Sequence, residues 1–182
     1  MQKASLMMVR RIVSSNRMVL VLAVVFTFFA LLLVFSPLFL QSGSVTDLSG
    51  SVGVIDNAWV WNELPFPVSA VYAFGDVLCH QELERSFVLN ENQMPFCARC
   101  MGIWIGFAVG PVLLCFFRLP VDFRLVGLLI LCCIPLGIDG FGQLFGWWAS
   151  SQASRLVTGL FCGGGLGAIL GAVLSLSSEK KS

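Results

Sequence analysis

Four long apolar runs constrain this chain most, because each is close to the length that crosses a lipid bilayer. They cover residues 18–40, 101–117, 125–150 and 156–177. A helix rises about 1.5 Å per residue, so about 20 apolar residues span the hydrocarbon core of a membrane. Asp139 is the only charged residue within the four runs. We therefore predict an all-α polytopic membrane protein with four transmembrane helices.

The composition agrees with a membrane protein and excludes one large class of partner. Apolar residues make up 57% of the 182 residues and charged residues 12%, whereas soluble domains carry about 25% charged residues. The net charge is only +1, too little for a basic face that neutralises several phosphates. We expect the lipid bilayer and other membrane proteins as partners, and no nucleic acid.

The basic residues predict the orientation of the spans. Four crossings place both termini on one side, together with most of the basic residues: Lys3, Arg10, Arg11, Arg17, Arg118, Arg124, Lys180 and Lys181. Only Arg85, Arg99 and Arg155 fall on the other side. Because cytoplasmic loops carry an excess of Lys and Arg, we expect both termini in the cytoplasm and the protein in the cytoplasmic membrane.

The spans divide the chain into five segments. These are a cytoplasmic basic N-terminus (1–17), transmembrane helix 1 (18–40), an extracytoplasmic loop (41–100), a three-helix membrane core (101–177) and a cytoplasmic tail (178–182). The first span is too long for a signal peptide, and no small-residue cleavage pattern precedes Gln41. Residues 66–78 are too few to cross, so we interpret them as a short buried or interfacial helix carrying Cys79 and His80 at its end.

Glycines recur every fourth residue in two of the spans. The second span has Gly102, Gly106 and Gly110, and the fourth has Gly159, Gly163, Gly167 and Gly171. Such a row reduces one helix face to backbone and allows close approach between helices in lipid. We expect the two rows to pack against each other or against the third span, with a groove for a lipid tail as the alternative.

Cysteines and the single histidine predict a metal site in the extracytoplasmic loop. Cys97 and Cys100 are separated by two residues, which lets one tight turn direct two thiolates at a single ion. Cys79 and His80 supply two further donors, giving a Cys3His set typical of zinc. Because adjacent residues ligate one ion only with a bent backbone, Asp139, Glu82 or water is an alternative fourth ligand.

The coordination of this zinc cofactor decides between two function classes. A closed site indicates structural zinc in a protein whose role is binding or assembly. An open position indicates an enzyme that acts on a lipid-linked or extracytoplasmic substrate, because zinc lowers the pKa of a bound water toward about 7.

Thiol–disulfide exchange is the competing chemistry for the Cys97 and Cys100 pair. Arg99 between them favours a thiolate. Oxidoreductases of this kind need a second cysteine pair, and only Cys79 remains in the loop, so the count favours metal. A structural disulfide or free thiols are the third alternative. A c-type haem is disfavoured because Met101 stands where histidine is required. The remaining cysteines are interpreted as apolar packing residues: Cys115, Cys132, Cys133 and Cys162.

Polar groups near the loop supply the catalytic candidates, namely Asp139, Arg155 and Arg85. An intramembrane carboxylate costs at least about 2.5 kcal/mol unless it is paired, so Asp139 needs a partner, and we expect Arg155. Gln143 lies one turn after Asp139 on the same helix face. Arg85 and Ser86 could bind an anionic head group or orient metal ligands.

Several motifs together resemble a known family. They are Cys79-His80-Gln81 with Arg85-Ser86-Phe87, Pro95-Phe96-Cys97-Ala98-Arg99-Cys100-Met101-Gly102-Ile103 with Gly106, Pro135-Leu136-x-x-Asp139-Gly140 with Gln143, and Arg155-x-x-Thr158-Gly159 with Gly163. In this order they look like a family of small prokaryotic polytopic membrane proteins of unknown function. The match covers residues 70–171 and leaves the first span outside it. The resemblance implies a membrane fold and no specific activity.

Overall fold

The computed structural model describes residues 17–117, 121 and 123–179, with side chains described up to residue 175. Within these residues the helices are α1 (Arg17–Phe35), α2 (Ala58–Trp61), α3 (Val68–Leu78), α4 (Ala98–Phe116), α5 (Phe123–Leu144) and α6 (Gln152–Glu179). Two 3-10 turns lie at Ser36–Phe39 and Leu83–Arg85, and two antiparallel strands are β1 (Ser86–Leu89) and β2 (Asn92–Cys97). Most of the charges that predicted the orientation lie outside the described residues: Lys3, Arg10, Arg11, Arg118, Lys180 and Lys181.

Four helical segments are long and apolar enough to cross a membrane, which confirms the predicted fold class. They are Arg17–Phe39, Ala98–Phe116, Phe123–Leu144 and Gln152–Ser175. The third membrane-spanning helix, α5, ends at Leu144, six residues before the end of the apolar run 125–150. Gly146 has a φ of +69°, and Trp147 N–H donates to the Gly142 carbonyl at 2.8 Å. This left-handed capping arrangement at glycine ends the helix.

The two glycine rows pack against each other, as one of the two predicted arrangements required. A Cβ on Gly102 would overlap the Leu156 carbonyl oxygen of α6, and one on Gly106 would overlap that of Leu160. In the opposite direction, a Cβ on Gly163 would overlap the Ile103 carbonyl oxygen of α4. Helices α4 and α6 therefore touch through their backbones, and this contact forms the centre of the bundle.

A β-hairpin that the sequence analysis did not predict leads into helix α4. Strands β1 and β2 pair antiparallel around Asn90 and Glu91, whose φ angles are +54° and +59°. Two successive positive φ angles are typical of the tight turn that matches the twist of a hairpin. The hairpin directs the chain from the short helix α3 back to the start of α4.

Buried amides tie the segment before helix α3 onto this hairpin. Asn92 accepts a hydrogen bond from Val45 N–H at 2.9 Å and donates to the Gln41 carbonyl at 2.8 Å. Gln93 accepts from Leu48 N–H at 2.7 Å and donates back to the Leu48 carbonyl at 3.2 Å. Backbone groups that lack regular secondary structure thus find partners without water.

Asp76 is the buried carboxylate of the same polar layer. It is 0% exposed, and it accepts hydrogen bonds from Trp61 Nε1 at 3.0 Å and from Asn57 Nδ2 at 2.9 Å. Burial alone would raise the pKa of Asp76, but these hydrogen bonds outweigh burial and hold the pKa below its usual value. The segment around helix α3 is therefore a folded cap on one end of the bundle.

Candidate metal centre

Three cysteine sulfurs meet where helix α3 ends and helix α4 begins. Cys79 is the C-terminal capping residue of α3, Cys97 is the N-terminal capping residue of α4, and Cys100 lies in the first turn of α4. Their sulfur atoms all lie within 4.8 Å of one another. We call these three residues the cysteine cluster.

Close contact between helix α3 and strand β2 brings Cys79 to Cys97. Gly75 lies one turn before Cys79, and a Cβ at this position would overlap the carbonyl oxygen of Pro95. Gln81 Nε2 donates to the same carbonyl at 2.8 Å. The Cys97 N–H donates to the Cys79 sulfur at 3.3 Å. The glycine is therefore required for the two chain segments to approach closely enough for the sulfurs to meet.

The cysteine cluster lies in largely apolar surroundings. Cys79 is 2% exposed, and it packs with Phe96 and Met101, which are 0% and 2% exposed. Cys97 and Cys100 pack against the same core. A buried charge is costly unless it is paired, so thiolates at this place need a cation.

Contact between the thiols shifts their ionisation in opposite directions. Hydrogen bonds from Cys100 and Cys79 lower the pKa of Cys97 far below its ordinary value. For Cys79, the hydrogen bond with Cys100 lowers the pKa, but the hydrogen bond with Cys97 and burial outweigh it, and the pKa rises. The cluster thus holds one thiolate readily, and a metal ion is the kind of group that deprotonates the others.

The sulfur spacing suits a tetrahedral zinc ion. Zinc–sulfur bonds are about 2.3 Å long, which puts two thiolates of a tetrahedral site about 3.8 Å apart. Sulfurs that already lie within 4.8 Å of one another need only small side-chain rotations to reach that spacing. All seven cysteines of the chain are free thiols, so no sulfur of the cluster is committed to a disulfide.

His80 lies outside the cysteine cluster although it follows Cys79 directly. Its side chain is exposed, and the group of described side chains that could share one ion contains the three cysteines alone. The backbone at Cys79 is extended, with φ −140° and ψ 148°. Successive side chains of an extended chain point to opposite sides, so His80 faces away from the sulfurs. Its role as the fourth ligand stays a prediction.

The other predicted fourth ligands have partners of their own. Glu82 Oε2 forms an ion pair with Arg85 Nε at 2.8 Å, and both side chains are substantially exposed. Asp139 forms an ion pair with Arg99. Glu82 and Asp139 are therefore engaged elsewhere in the described residues, and water is the remaining alternative fourth ligand.

Asp139 lies at the centre of a polar network next to the cluster. It accepts hydrogen bonds from Arg99, from the Ser150 hydroxyl and from Gln143 Nε2, the last at 2.9 Å. Gln143 Oε1 in turn accepts from Arg155 Nη2 at 2.8 Å. Asp139 and Gln143 thus share a helix face, as their spacing predicted.

The ion-pair partner of Asp139 is not the predicted one. The expected partner, Arg155, reaches only the neighbouring Gln143, whereas Arg99 pairs with the carboxylate. A Cβ on Gly159 would overlap the Arg99 carbonyl oxygen, so the first turn of α4 lies directly against α6. Because of this contact, Arg99 reaches α5 at the level of Asp139. No pattern in the sequence indicated this role, since the position of Arg99 between two cysteines suggested only an effect on the thiolates.

The catalytic candidates from the sequence differ in environment. Asp139 and Arg155 are 6% and 8% exposed and belong to one network, whereas the Arg85 side chain is 51% exposed.

Inside the bundle, the sulfurs of Cys133 and Cys162 lie 3.2 Å apart, in contact between α5 and α6. Their packing role agrees with the interpretation from the sequence.

Comparisons with known proteins agree with this picture of a membrane protein. The pattern of a family described as "Predicted membrane protein (DUF2085)" matches residues 79–169. An uncharacterized protein of Methanocaldococcus jannaschii is 33% identical over 114 residues, which cover 62% of this chain and 70% of that protein. An uncharacterized protein of Methanothermobacter thermautotrophicus is 39% identical over 99 residues, covering 53% and 86%. No solved structure matches the chain significantly.

Proposed function

Because this chain belongs to the DUF2085 family of predicted membrane proteins, and the matching part contains the whole cysteine cluster, we propose that it is a zinc-binding integral membrane protein. The observation that carries the proposal is the meeting of three sulfurs within 4.8 Å. Cys79, Cys97 and Cys100 come from three positions on two helix ends, and such convergence of thiols in an apolar core is what a soft metal ion requires.

Zinc fits the donor set better than the other common divalent ions. Thiolates favour zinc, copper(I) and iron–sulfur clusters over magnesium and calcium, which prefer oxygen ligands. Zinc also accepts three sulfurs with a fourth light-atom ligand in a tetrahedron. A zinc ion bound to three thiolates carries one net negative charge, and Arg99, which lies between Cys97 and Cys100 in the chain, is a cation close to it.

The position of the cluster supports a role of the metal in assembly. It joins the end of helix α3 to the start of helix α4, and so fastens the polar cap onto the bundle. Binding of zinc by such a site contributes directly to the free energy of folding, because the unfolded chain does not hold the three thiolates together. On this proposal the folded cap is the surface that binds partners.

A second candidate function follows from the number of donors. Structural zinc sites are closed by four protein ligands, whereas catalytic sites have three and keep one position open. With three cysteines gathered and His80 facing away, the cluster has the donor count of an open site. The candidate is an enzyme in which zinc activates a water toward a lipid-linked or extracytoplasmic substrate.

The distribution of basic residues supports an extracytoplasmic position for the cluster. Arg85, Arg99 and Arg155 are the basic residues at its end of the bundle, and the remaining eight of the eleven lie in the termini or between the second and third spans, which the predicted topology assigns to the cytoplasm. A reporter that is active only in the cytoplasm, fused after Ser182, tests this orientation. It should be active, and an inactive but correctly inserted fusion would contradict the orientation.

The zinc content of the purified protein tests the proposed function. We expect close to one zinc per chain in the wild-type protein and in Cys115→Ser, which removes a thiol far from the cluster. In Cys79→Ser we expect the zinc content to fall at least about tenfold, because two thiolates and a hydroxyl bind zinc far more weakly. Elemental analysis together with thiol counting gives both quantities.

The same samples separate the competing functions. A wild-type protein with no metal and an oxidised Cys97 and Cys100 pair would refute zinc binding and favour thiol–disulfide exchange. If Cys79→Ser loses zinc and also unfolds at a much lower temperature in detergent, the zinc is structural. If it loses zinc and keeps the unfolding temperature of Cys115→Ser, the open site of an enzyme is favoured instead.

A further inference from the structure

Two buried arginine nitrogens next to the cysteine cluster have no hydrogen-bond partner. They are Arg99 Nε and Arg155 Nε, and no other buried side-chain nitrogen or oxygen in the described residues lacks a partner. Leaving a buried donor unsatisfied costs about 1–3 kcal/mol, and more for a charged group. Two such donors, on side chains that belong to one hydrogen-bonded network, therefore indicate an acceptor that binds from outside the chain.

The polar network places the two guanidinium groups on one face of helix α5. Arg99 pairs with Asp139, and Arg155 Nη2 donates to Gln143 Oε1 at 2.8 Å. Gln143 Nε2 donates to Asp139 Oδ2 at 2.9 Å, which ties the two acceptors together one turn apart. Gln152, in the same turn of α6 as Arg155, donates to the carbonyl of Ser86 at 2.9 Å, which places the neighbouring Arg85 at the edge of this network.

The charges at this place leave Arg155 without a carboxylate of its own. Arg85 is paired with Glu82, and Arg99 is paired with Asp139. Arg155 is 8% exposed, and in the described residues its side-chain hydrogen bond goes to a neutral amide. It also lies in the first turn of α6, where the helix dipole disfavours a cation and favours an anion. A buried cation in this setting is stabilised by a bound anion.

The thiolates do not supply the missing acceptor. Arg155 interacts electrostatically with Cys97, so the metal site contributes to the local charge balance. However, neither Nε donates to a cysteine sulfur, because both remain without any partner in the described residues. The two N–H groups therefore lack an acceptor, and the cysteine sulfurs do not provide it.

We propose that Arg99 and Arg155, with Arg85 at the rim, form a binding site for a phosphate group. Guanidinium groups recognise phosphate through charge-assisted hydrogen bonds of fixed geometry. A phosphomonoester, such as the head group of phosphatidic acid, presents three terminal oxygens, enough for one to each arginine, whereas a phosphodiester or a carboxylate presents two. Since the arginines lie at the end of membrane-spanning helices, the phosphate comes either from a lipid head group or from a soluble phosphate ester. The inference goes beyond zinc binding, because none of these arginines is a metal ligand.

Binding of phosphate to purified protein in detergent tests the inference. The probes are inorganic phosphate, dioctanoyl phosphatidic acid and, as a zwitterionic control, dioctanoyl phosphatidylcholine. We expect saturable binding of phosphate or phosphatidic acid to the wild-type protein. In Arg155→Gln the affinity should fall at least about tenfold, because a charge-assisted hydrogen bond is lost while the amide can still contact Gln143. Arg17→Gln, which removes an arginine at the other end of the bundle, should bind like the wild type.

The outcomes are distinct for each source of phosphate. Binding of phosphatidic acid alone assigns the site to a lipid head group, and binding of both probes shows that the phosphate group suffices. If Arg155→Gln does not fold, Arg155→Lys keeps the charge but loses the planar fork, and it should also bind more weakly. No binding to the wild type, or equal binding to wild type and variant, would overturn the proposal.

Zinc content measured on the same samples keeps the two proposals apart. Arg155→Gln should retain its zinc, because Arg155 is not a ligand. Phosphate binding by a protein that contains no zinc would refute the proposed function and support this inference. Zinc without phosphate binding would do the reverse.

Discussion

Replacement of Gly163 by alanine should destabilise the bundle severely. Its Cβ would overlap the carbonyl oxygen of Ile103, a backbone atom that cannot move aside. Helices α4 and α6 must then separate along their whole glycine contact, and the dispersion contacts that hold helices together in lipid are lost. Overpacking of a tight core typically costs about 1–3 kcal/mol, and we expect the upper end here. Thermal unfolding in detergent measures the effect.

Gly164 provides a matched control on the same helix. A Cβ there would meet only the Gly106 carbonyl oxygen at 3.8 Å, an ordinary contact. Because alanine has the higher helix propensity by about 1 kcal/mol, Gly164→Ala should leave the stability unchanged or raise it. Equal unfolding temperatures for the two variants would contradict the packing of the glycine rows against each other.

Replacement of Asp139 by asparagine should be the second large effect. The change keeps the shape of the side chain but removes the charge that pairs with Arg99, and the Asp139 side chain is only 7% exposed. Breaking a fully buried ion pair at one partner costs about 3–5 kcal/mol, because the other charge is left uncompensated; since the Arg99 side chain is 27% exposed, we expect the lower end of this range. Arg99 would then lose its carboxylate, while Arg155, which has no carboxylate partner, belongs to the same network. We expect a large fall in unfolding temperature and in the amount of folded protein.

Asp47→Asn is the control for the loss of a negative charge. Asp47 is exposed, and asparagine tolerates its positive φ of 57°. This variant should unfold like the wild type. If Asp139→Asn also unfolds like the wild type, the ion pair between Arg99 and Asp139 and the network around it do not stabilise the bundle.

The membrane-spanning part of the fold could be predicted from the sequence because it depends on few physical constraints. A bilayer fixes the length of a span, and the absence of charge marks where each one lies. The spacing of the glycines in the rows Gly102 to Gly110 and Gly159 to Gly171 predicted their contact, because a helix face without side chains allows a neighbouring helix to pack closely. Short-range spacing also placed Asp139 and Gln143 on one face.

The cap could not be predicted because its structure depends on contacts between distant residues. Asn92 and Gln93 hold a segment that lies more than forty residues earlier in the chain, and no periodic pattern records such bonds. The hairpin turn uses Asn90 and Glu91, a pair without the glycine that usually signals it. The partner of Asp139 was missed for the same reason, because Arg99 is adjacent to it only through the packing of three helices.

The candidate metal site was predicted in part. Spacing alone brought Cys97 and Cys100 together, and the odd number of cysteines in the loop favoured a metal site over a redox pair. The extended backbone at Cys79 then turns His80 away, a conformation that the sequence did not indicate. The fourth position of the proposed site is therefore the part on which the two function classes differ.

X-ray absorption at the zinc edge tests the central claim most directly. For the wild-type protein as purified, we expect three sulfur neighbours at about 2.3 Å and one oxygen neighbour at about 2.0 Å, the distances of thiolate and water ligands. An imidazole signal in place of the oxygen would show that His80 turns inward and closes the site. A spectrum without sulfur neighbours, or a protein without zinc, would contradict the assignment of Cys79, Cys97 and Cys100 as a metal centre.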